Sequence, residues 1–86
     1  ANNMYHYVYI LKTLKEYKNR SYVGYSTNVS ERLKKHNLSK GAKATRGYKW
    51  KIIYKRTFRS KSKALSFEYT LKKDRKKRLS ILKELK

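Results

Sequence analysis

Apolar and polar positions first alternate between Met4 and Leu11, MYHYVYIL. Tyr5, Tyr7, Tyr9 and Leu11 fall on one face, and His6, Val8 and Ile10 on the other. Both sets are aromatic or aliphatic, so the pattern predicts a strand buried at least in part on both sides. A polar loop over Lys12–Asn19 leads into a second short strand, Arg20–Tyr25, and the two form a hairpin. A hairpin symmetric about that loop sets Tyr9 directly opposite Tyr22, with both side chains on one face.

Asn28 opens a helix as its N-cap, and Glu31 three residues on completes a capping-box pattern. Within the helix, Arg32 and His36 are four apart and share a face, while Leu33 points to the core. Asn37–Tyr48 is a loop of small and basic residues. Lys49–Thr57 alternates Trp50, Ile52 and Tyr54 against Lys51, Ile53 and Lys55, which predicts a third strand. Ser60 caps a second helix that runs to about Lys72 with Ala64, Leu65, Phe67 and Leu71 as its buried stripe. Lys73–Lys86 is a last, basic helix anchored by Leu79, Leu82 and Leu85. No internal repeat interrupts this order. The expected fold class is α+β, a small three-stranded, mainly antiparallel sheet flanked by helices, with residues 1–86 as a single domain.

Composition narrows the function. The 86 residues carry 25 Lys and Arg against 5 Asp and Glu, a formal net charge of +20. Such a balance implies a polyanionic partner. The basic residues are spread along the chain, whereas a membrane anchor concentrates them on one amphipathic helix, so nucleic acid is favoured over a membrane surface. No apolar run approaches a membrane span. Cysteine is absent, which excludes disulfides, zinc fingers and a thiol nucleophile. A disulfide-free small domain points to an intracellular, cytoplasmic setting.

The scarce carboxylates are the place to look for chemistry. Glu16 lies in the hairpin loop, Glu31 caps a helix, and Asp74 and Glu84 stand among lysines. Glu68 instead interrupts the apolar stripe of the second helix, where a carboxylate is costly unless paired or bound to a metal. Taken alone, a partly buried salt bridge explains it better. Too few acids are present for a site of two or three clustered carboxylates. A cutting enzyme of this composition needs one carboxylate, with water and substrate phosphate completing a Mg²⁺ octahedron. Arg32 can hold a phosphate oxygen with two donors, and His36 one turn away can relay a proton. For an isolated pair, a solvated arginine and a histidine favourable to the helix dipole is the simpler account. Nine residues are Tyr. The Tyr9–Tyr22 pair is explained by cross-strand packing or by a site in which the positive field of the chain lowers a phenol from its usual ~10.

Taken together and in order, Tyr7-Val8-Tyr9, Tyr22-Val23-Gly24, the helix with Arg32 and His36, and Glu68 on a later helix resemble the GIY-YIG nuclease superfamily. The segment Lys40–Gly47, KGAKATRG, is similar to a loop of its small stand-alone bacterial members, relatives of the Slx-type structure-specific nuclease domain associated with DNA repair. The resemblance implies a three-stranded antiparallel sheet flanked by helices and Mg²⁺ or Mn²⁺ held by Glu68. It implies that Tyr9 activates the attacking water with His36, and that Tyr22 and Arg32 bind and polarise the scissile phosphate. Cleavage would leave 5′-phosphate and 3′-hydroxyl ends. Tyr7 and Val8 replace the Gly and Ile of the first signature, and Tyr25 stands where some branches place a basic residue. The spacer between Tyr9 and Tyr22 is slightly long, and Ser80 lies near the position where some branches carry Asn.

The expected substrate is DNA, branched or otherwise structured. Lys40, Lys43 and Arg46 would contact phosphates near the site, and Lys73 and Arg75 the flanking duplex. A separate protein partner for targeting is consistent with so small a domain. The alternatives are a non-catalytic basic nucleic-acid-binding module, which composition fits equally well, and a membrane-surface binder acting through the last helix.

Overall fold

The computed structural model describes residues 4–84, without the side chains of residues 82 and 84. Strand β1 spans His6–Thr13, β2 spans Ser21–Ser26 and β3 spans Trp50–Phe58. Helix α1 covers Val29–Asn37, α2 Lys61–Lys73 and α3 Arg75–Glu84. The sheet order is β2-β1-β3, and both pairings of β1 are antiparallel.

The central position of β1 explains its two-sided apolar pattern. Val8 and Ile10 are fully buried with Val23 of β2 and Ala64, Phe67 and Leu71 of α2. On the opposite face Tyr9 and Leu11 are buried with Val29 of α1 and Trp50, and Leu33 packs against them. Enclosing each such side chain contributes roughly 1.5–3 kcal/mol. A strand that presents core on both sides is therefore the rigid axis of the fold.

The hairpin register differs from the symmetric expectation by two residues. Tyr9 lies opposite Gly24, and Tyr22 opposite Leu11. The cause is local. β1 continues to the buried Thr13, whose hydroxyl donates to the Lys18 carbonyl at 2.9 Å and accepts from the Arg20 amide at 3.0 Å. These bonds tie the loop closed two residues later than the polar pattern suggests. A slip of two preserves facing, so Tyr9 and Tyr22 still share the α1 side.

The β3 alternation also breaks. The β1–β3 register shifts between Ile10 and Leu11, which pair with Tyr54 and Ile52 and leave Ile53 as the extra residue. Such a bulge turns the strand beyond it. Trp50 and Ile52 face α1, whereas Ile53 and Tyr54 join the α2 side. Tyr54 is thus on the face opposite to the one alternation assigns it. Arg56 follows it there, 4.8 Å from the Phe67 ring centre, while Lys55 covers Tyr7 at 5.2 Å.

Helix caps follow the sequence closely. Asn28 Oδ1 accepts from the Glu31 amide at 3.1 Å, and Ser60 Oγ from Lys63 at 3.3 Å. Asp74 ends α2 and, through Oδ1, accepts from the Lys77 amide at the start of α3. Two apolar assignments are corrected. Leu65 is exposed at 40% because the buried stripe of α2 is Ala64, Phe67 and Leu71, and Leu65 stands about 100° around the helix from Ala64. Leu79 is exposed at 50%, and Ile81 packs on the core instead. The expected anchors Leu82 and Leu85 lie outside the described side chains.

These placements separate two leucines of equal chemistry. Leu71→Ala should cost about 2–5 kcal/mol of unfolding free energy, and Leu79→Ala less than about 0.5 kcal/mol, both read from urea unfolding curves. Equal losses would contradict the assigned core.

Candidate active site

The site begins at the middle of β1. Tyr9 is buried, and its ring lies across Gly24 on the neighbouring strand: a Cβ added at Gly24 would come within 2.4 Å of the phenol carbon and oxygen. Glycine is the residue that lets the ring take this place. The Tyr9 hydroxyl is 3.0 Å from Nε2 of His36, and Nδ1 of the same ring is 2.8 Å from Thr45 Oγ1. The imidazole has no exposure to solvent.

The backbone brings these groups together by a sharp reversal at the end of α1. Ser39 adopts a left-handed φ of 59°, with its amide bonded to the His36 carbonyl and the Lys40 amide to the Lys35 carbonyl. This pair of bonds is a Schellman-type helix ending. It turns the following loop back over α1, where Ser39 Oγ accepts from the Gly47 amide. Gly41 then lies so close to the imidazole that a Cβ there would be 2.5 Å from Nδ1. A single 3-10 turn at Lys43–Thr45 follows, and Thr45 is buried with its carbonyl accepting from Trp50 Nε1 at 3.0 Å. Asn37 closes the loop by accepting from the Trp50 amide at 2.6 Å.

Around the Tyr9–His36 pair stand the other groups singled out in the sequence. The Tyr22 ring is 5.1 Å from that of His36, centre to centre. Arg32, one turn before His36, is near enough to act electrostatically on both Tyr9 and His36. Glu68 on α2 also acts on Tyr9. The five residues Tyr9, Tyr22, Arg32, His36 and Glu68 therefore share one locality although they come from four elements. Ser21, Tyr22, Val23, Lys72 and Arg78 line an open cleft beside them of about 210 Å³.

Burial sets the charge states. It pushes the Tyr9 phenol up to about 12, against a smaller downward pull from Arg32. The expectation that the positive field lowers a phenol here is overturned, because loss of water around a phenolate outweighs the nearby guanidinium. Burial, helped by Arg32, brings His36 down to about 4. His36 is a neutral, enclosed imidazole rather than a solvated cation at the helix end.

Glu68, its side chain 17% exposed, forms an ion pair with Lys72 at 3.4 Å. This is the salt bridge that its sequence position suggested. Lys72 is about half exposed and four residues along the same helix. Such a pair contributes roughly 0.3–0.5 kcal/mol, which leaves the carboxylate exchangeable. Among the described residues no three His, Asp or Glu side chains converge as a ready metal cage. One exchangeable carboxylate beside an open cleft fits a cation that keeps most of its own waters, as Mg²⁺ does.

Lys40, Lys43 and Arg46 are exposed on the loop that covers His36, and Lys73 and Arg75 are exposed where α2 meets α3. Arg78, from the same basic run, is engaged differently: its Nη1 donates to the carbonyls of Leu71 and Lys72 and closes the end of α2. Sequence reasoning missed Thr45, Gly41, Lys72 and the seat at Gly24. Lys72 carried a signal in its spacing of four from Glu68, Gly24 in its place in the second signature, and Gly41 and Thr45 in the Lys40–Gly47 segment, but none of these says what the side chain or its absence touches.

A family model for the GIY-YIG catalytic domain matches residues 5–80. The chain belongs to the GIY-YIG family. That family is one of nucleases, and its members typically use divalent metals. Relatives include a UPF0213 protein of Staphylococcus haemolyticus, 41% identical over 81 residues, covering 92% of this chain and 95% of that protein. A UPF0213 protein of Halalkalibacterium halodurans is 46% identical over 71 residues, 80% of this chain and 71% of that one. The solution NMR structure of the UPF0213 protein BH0048 from Bacillus halodurans superposes with a TM-score of 0.54 at 39% identity, covering 93% of this chain and 84% of that one. Among the described residues no helix is long and apolar enough to cross a membrane.

The lowered His36 predicts a pH effect on stability. Above 6.5 the imidazole is neutral in folded and unfolded chains alike. Between 6.5 and about 4 the unfolded chain takes up a proton that the folded one refuses, so stability falls as pH falls. The loss should total on the order of 3 kcal/mol. Unfolding curves at pH 7.5 and pH 4 should show it in the wild type and not in His36→Gln; parallel pH profiles would refute the buried neutral ring.

Proposed function

We propose that the protein is an endonuclease that hydrolyses phosphodiester bonds in DNA, with branched or otherwise structured DNA as its substrate and Mg²⁺ or Mn²⁺ as its cofactor. The observation that carries this reading is the gathering of Tyr9, Tyr22, Arg32, His36 and Glu68 in one site within a GIY-YIG domain. Residues 1–86 act as one catalytic domain in the cytoplasm, with a separate protein partner for targeting.

Glu68 is the carboxylate that would hold the cation, which when bound would act as a Lewis acid on the phosphate. The remaining work falls to the chain. Arg32 binds a non-bridging phosphate oxygen with its planar fork and stabilises the charge that builds there in the transition state. Tyr22, which lines the cleft, donates its hydroxyl proton to the same phosphate. Tyr9 takes the proton from the attacking water as its own hydroxyl proton passes to His36 Nε2. Both partners are neutral at rest, because one titrates near 12 and the other near 4. The handover is therefore uphill until the water oxygen attacks phosphorus, so it is concerted with attack. The P–O3′ bond breaks, and the 3′ oxygen is protonated from solvent.

Lys40, Lys43 and Arg46 hold phosphates close to the cut, and Lys73 and Arg75 the flanking duplex. No base-reading element is assigned, so the protein selects by shape rather than sequence.

Glu68→Gln should keep DNA binding within about twofold and lose at least ~100-fold in Mg²⁺-dependent nicking of labelled branched duplexes. Undiminished nicking in this variant would remove Glu68 from the reading. Tight binding with no cutting by the wild type on any branched, flapped or linear duplex would make the protein a non-catalytic binding module.

A further inference from the structure

Thr45 lies in the loop after α1, within the Lys40–Gly47 segment but without any role assigned from the sequence, and it is fully buried against the His36 imidazole. Its hydroxyl has one proton and two close neighbours. The Ala42 carbonyl oxygen is 2.8 Å away and can only accept. His36 Nδ1 is also 2.8 Å away and can either donate or accept, according to tautomer. If the hydroxyl proton pointed to Nδ1, two oxygens would face each other at 2.8 Å with no hydrogen between them. The hydroxyl proton therefore goes to Ala42, and Thr45 Oγ1 must receive a hydrogen from Nδ1. That leaves Nε2 bare, facing the Tyr9 hydroxyl at 3.0 Å.

Hydrogen bonds then run in one direction from the strand to the loop. Tyr9 donates to His36 Nε2, His36 Nδ1–H donates to Thr45 Oγ1, and Thr45 donates to the Ala42 carbonyl. The opposite tautomer would reverse the first link. Nε2–H would donate to the Tyr9 oxygen, and the ring could not take the phenol's proton. No buried side-chain nitrogen or oxygen among the described residues is left without a partner.

The surrounding loop holds this arrangement rigidly. Gly41 admits the ring because no Cβ stands in its path. The Thr45 carbonyl is fixed by Trp50 Nε1, and the Thr45 amide by Ala42. A donated hydrogen bond from Nδ1–H also raises the basicity of the nitrogen across the ring, as partners of ligating histidines do.

We propose that Thr45 is a positioning residue that fixes His36 as the Nδ1–H tautomer, so that its Nε2 lone pair is held on the Tyr9 hydroxyl. Its consequence for cutting rests on the nuclease reading; the tautomer itself does not.

Long-range proton–nitrogen correlation spectra of the ¹⁵N-labelled full chain at neutral pH read the tautomer directly. The chain has two histidines, so a His6→Gln sample assigns the signals. His36 should show a protonated Nδ1 and a bare Nε2. Thr45→Val, close in shape but without the hydroxyl, should shift His36 to the Nε2–H form or to a mixture and lower nicking roughly tenfold. Thr45→Ser should restore both tautomer and cutting. A wild-type His36 carrying its proton on Nε2 overturns the proposal, as does an unchanged tautomer in folded Thr45→Val. If Thr45→Val does not fold, the wild-type and Thr45→Ser spectra decide. A wild type with the expected tautomer that cuts no DNA defeats the nuclease reading and leaves Thr45 as the residue that sets the ring.

Discussion

A phenol and an imidazole, both enclosed, meet at 3.0 Å between the central strand and the first helix. Neither could be placed there without the other. A buried hydroxyl or ring nitrogen left without a partner costs about 1–3 kcal/mol, a large fraction of the stability of so small a domain. Tyr9 can be in the core because His36 accepts its proton, and His36 because Thr45 accepts on the far side. The same bonds that satisfy the core connect β1, α1 and the loop after it. One set of contacts thus packs the core and, in the proposed mechanism, carries the proton.

Other features follow from this demand. Gly24 stands opposite Tyr9 because the ring needs the space, and Gly41 leaves the same kind of space for His36. The reversal at Ser39 exists to bring residues 41–45 back over the helix it terminates. Trp50 secures that return from β3 through its indole and its backbone. On the solvent side the structure is much looser. Arg32 and Glu68 are partly buried, and the partner that Glu68 has among the described residues is an exposed lysine on a flexible stem. On the proposed reading, a rigid buried pair beside looser charged groups suits a site that admits a phosphate and a hydrated cation.

Much of the fold was legible in the sequence because it is governed by local periodicity and capping. The two apolar faces of β1, the Asn28 and Ser60 caps and the buried Ala64, Phe67 and Leu71 can be read from residue spacing. What escaped depended on single non-periodic contacts. The hairpin register turns on the Thr13 hydroxyl, and the face of Tyr54 on an extra residue at Ile53. Leucine at positions 65 and 79 carries no mark of its exposure. Five chemically suggestive residues could be named in advance, yet their charge states could not. A net positive chain suggests an acidic phenol, while burial makes this one a weaker acid than tyrosine in water. Thr45 stood within the Lys40–Gly47 segment, but nothing in that pattern says that its hydroxyl meets a buried ring.

In the proposed mechanism the Tyr9 hydroxyl, and not merely its ring, serves the chemistry. Tyr9→Phe isolates it, since the ring can remain over Gly24 while the hydroxyl is lost. Single-turnover cutting of branched DNA in Mg²⁺ should fall at least ~100-fold, with stability reduced by only about 1–3 kcal/mol for the stranded imidazole nitrogen. Cutting within twofold of the wild type by a folded Tyr9→Phe protein would mean that the hydroxyl takes no part in the chemistry.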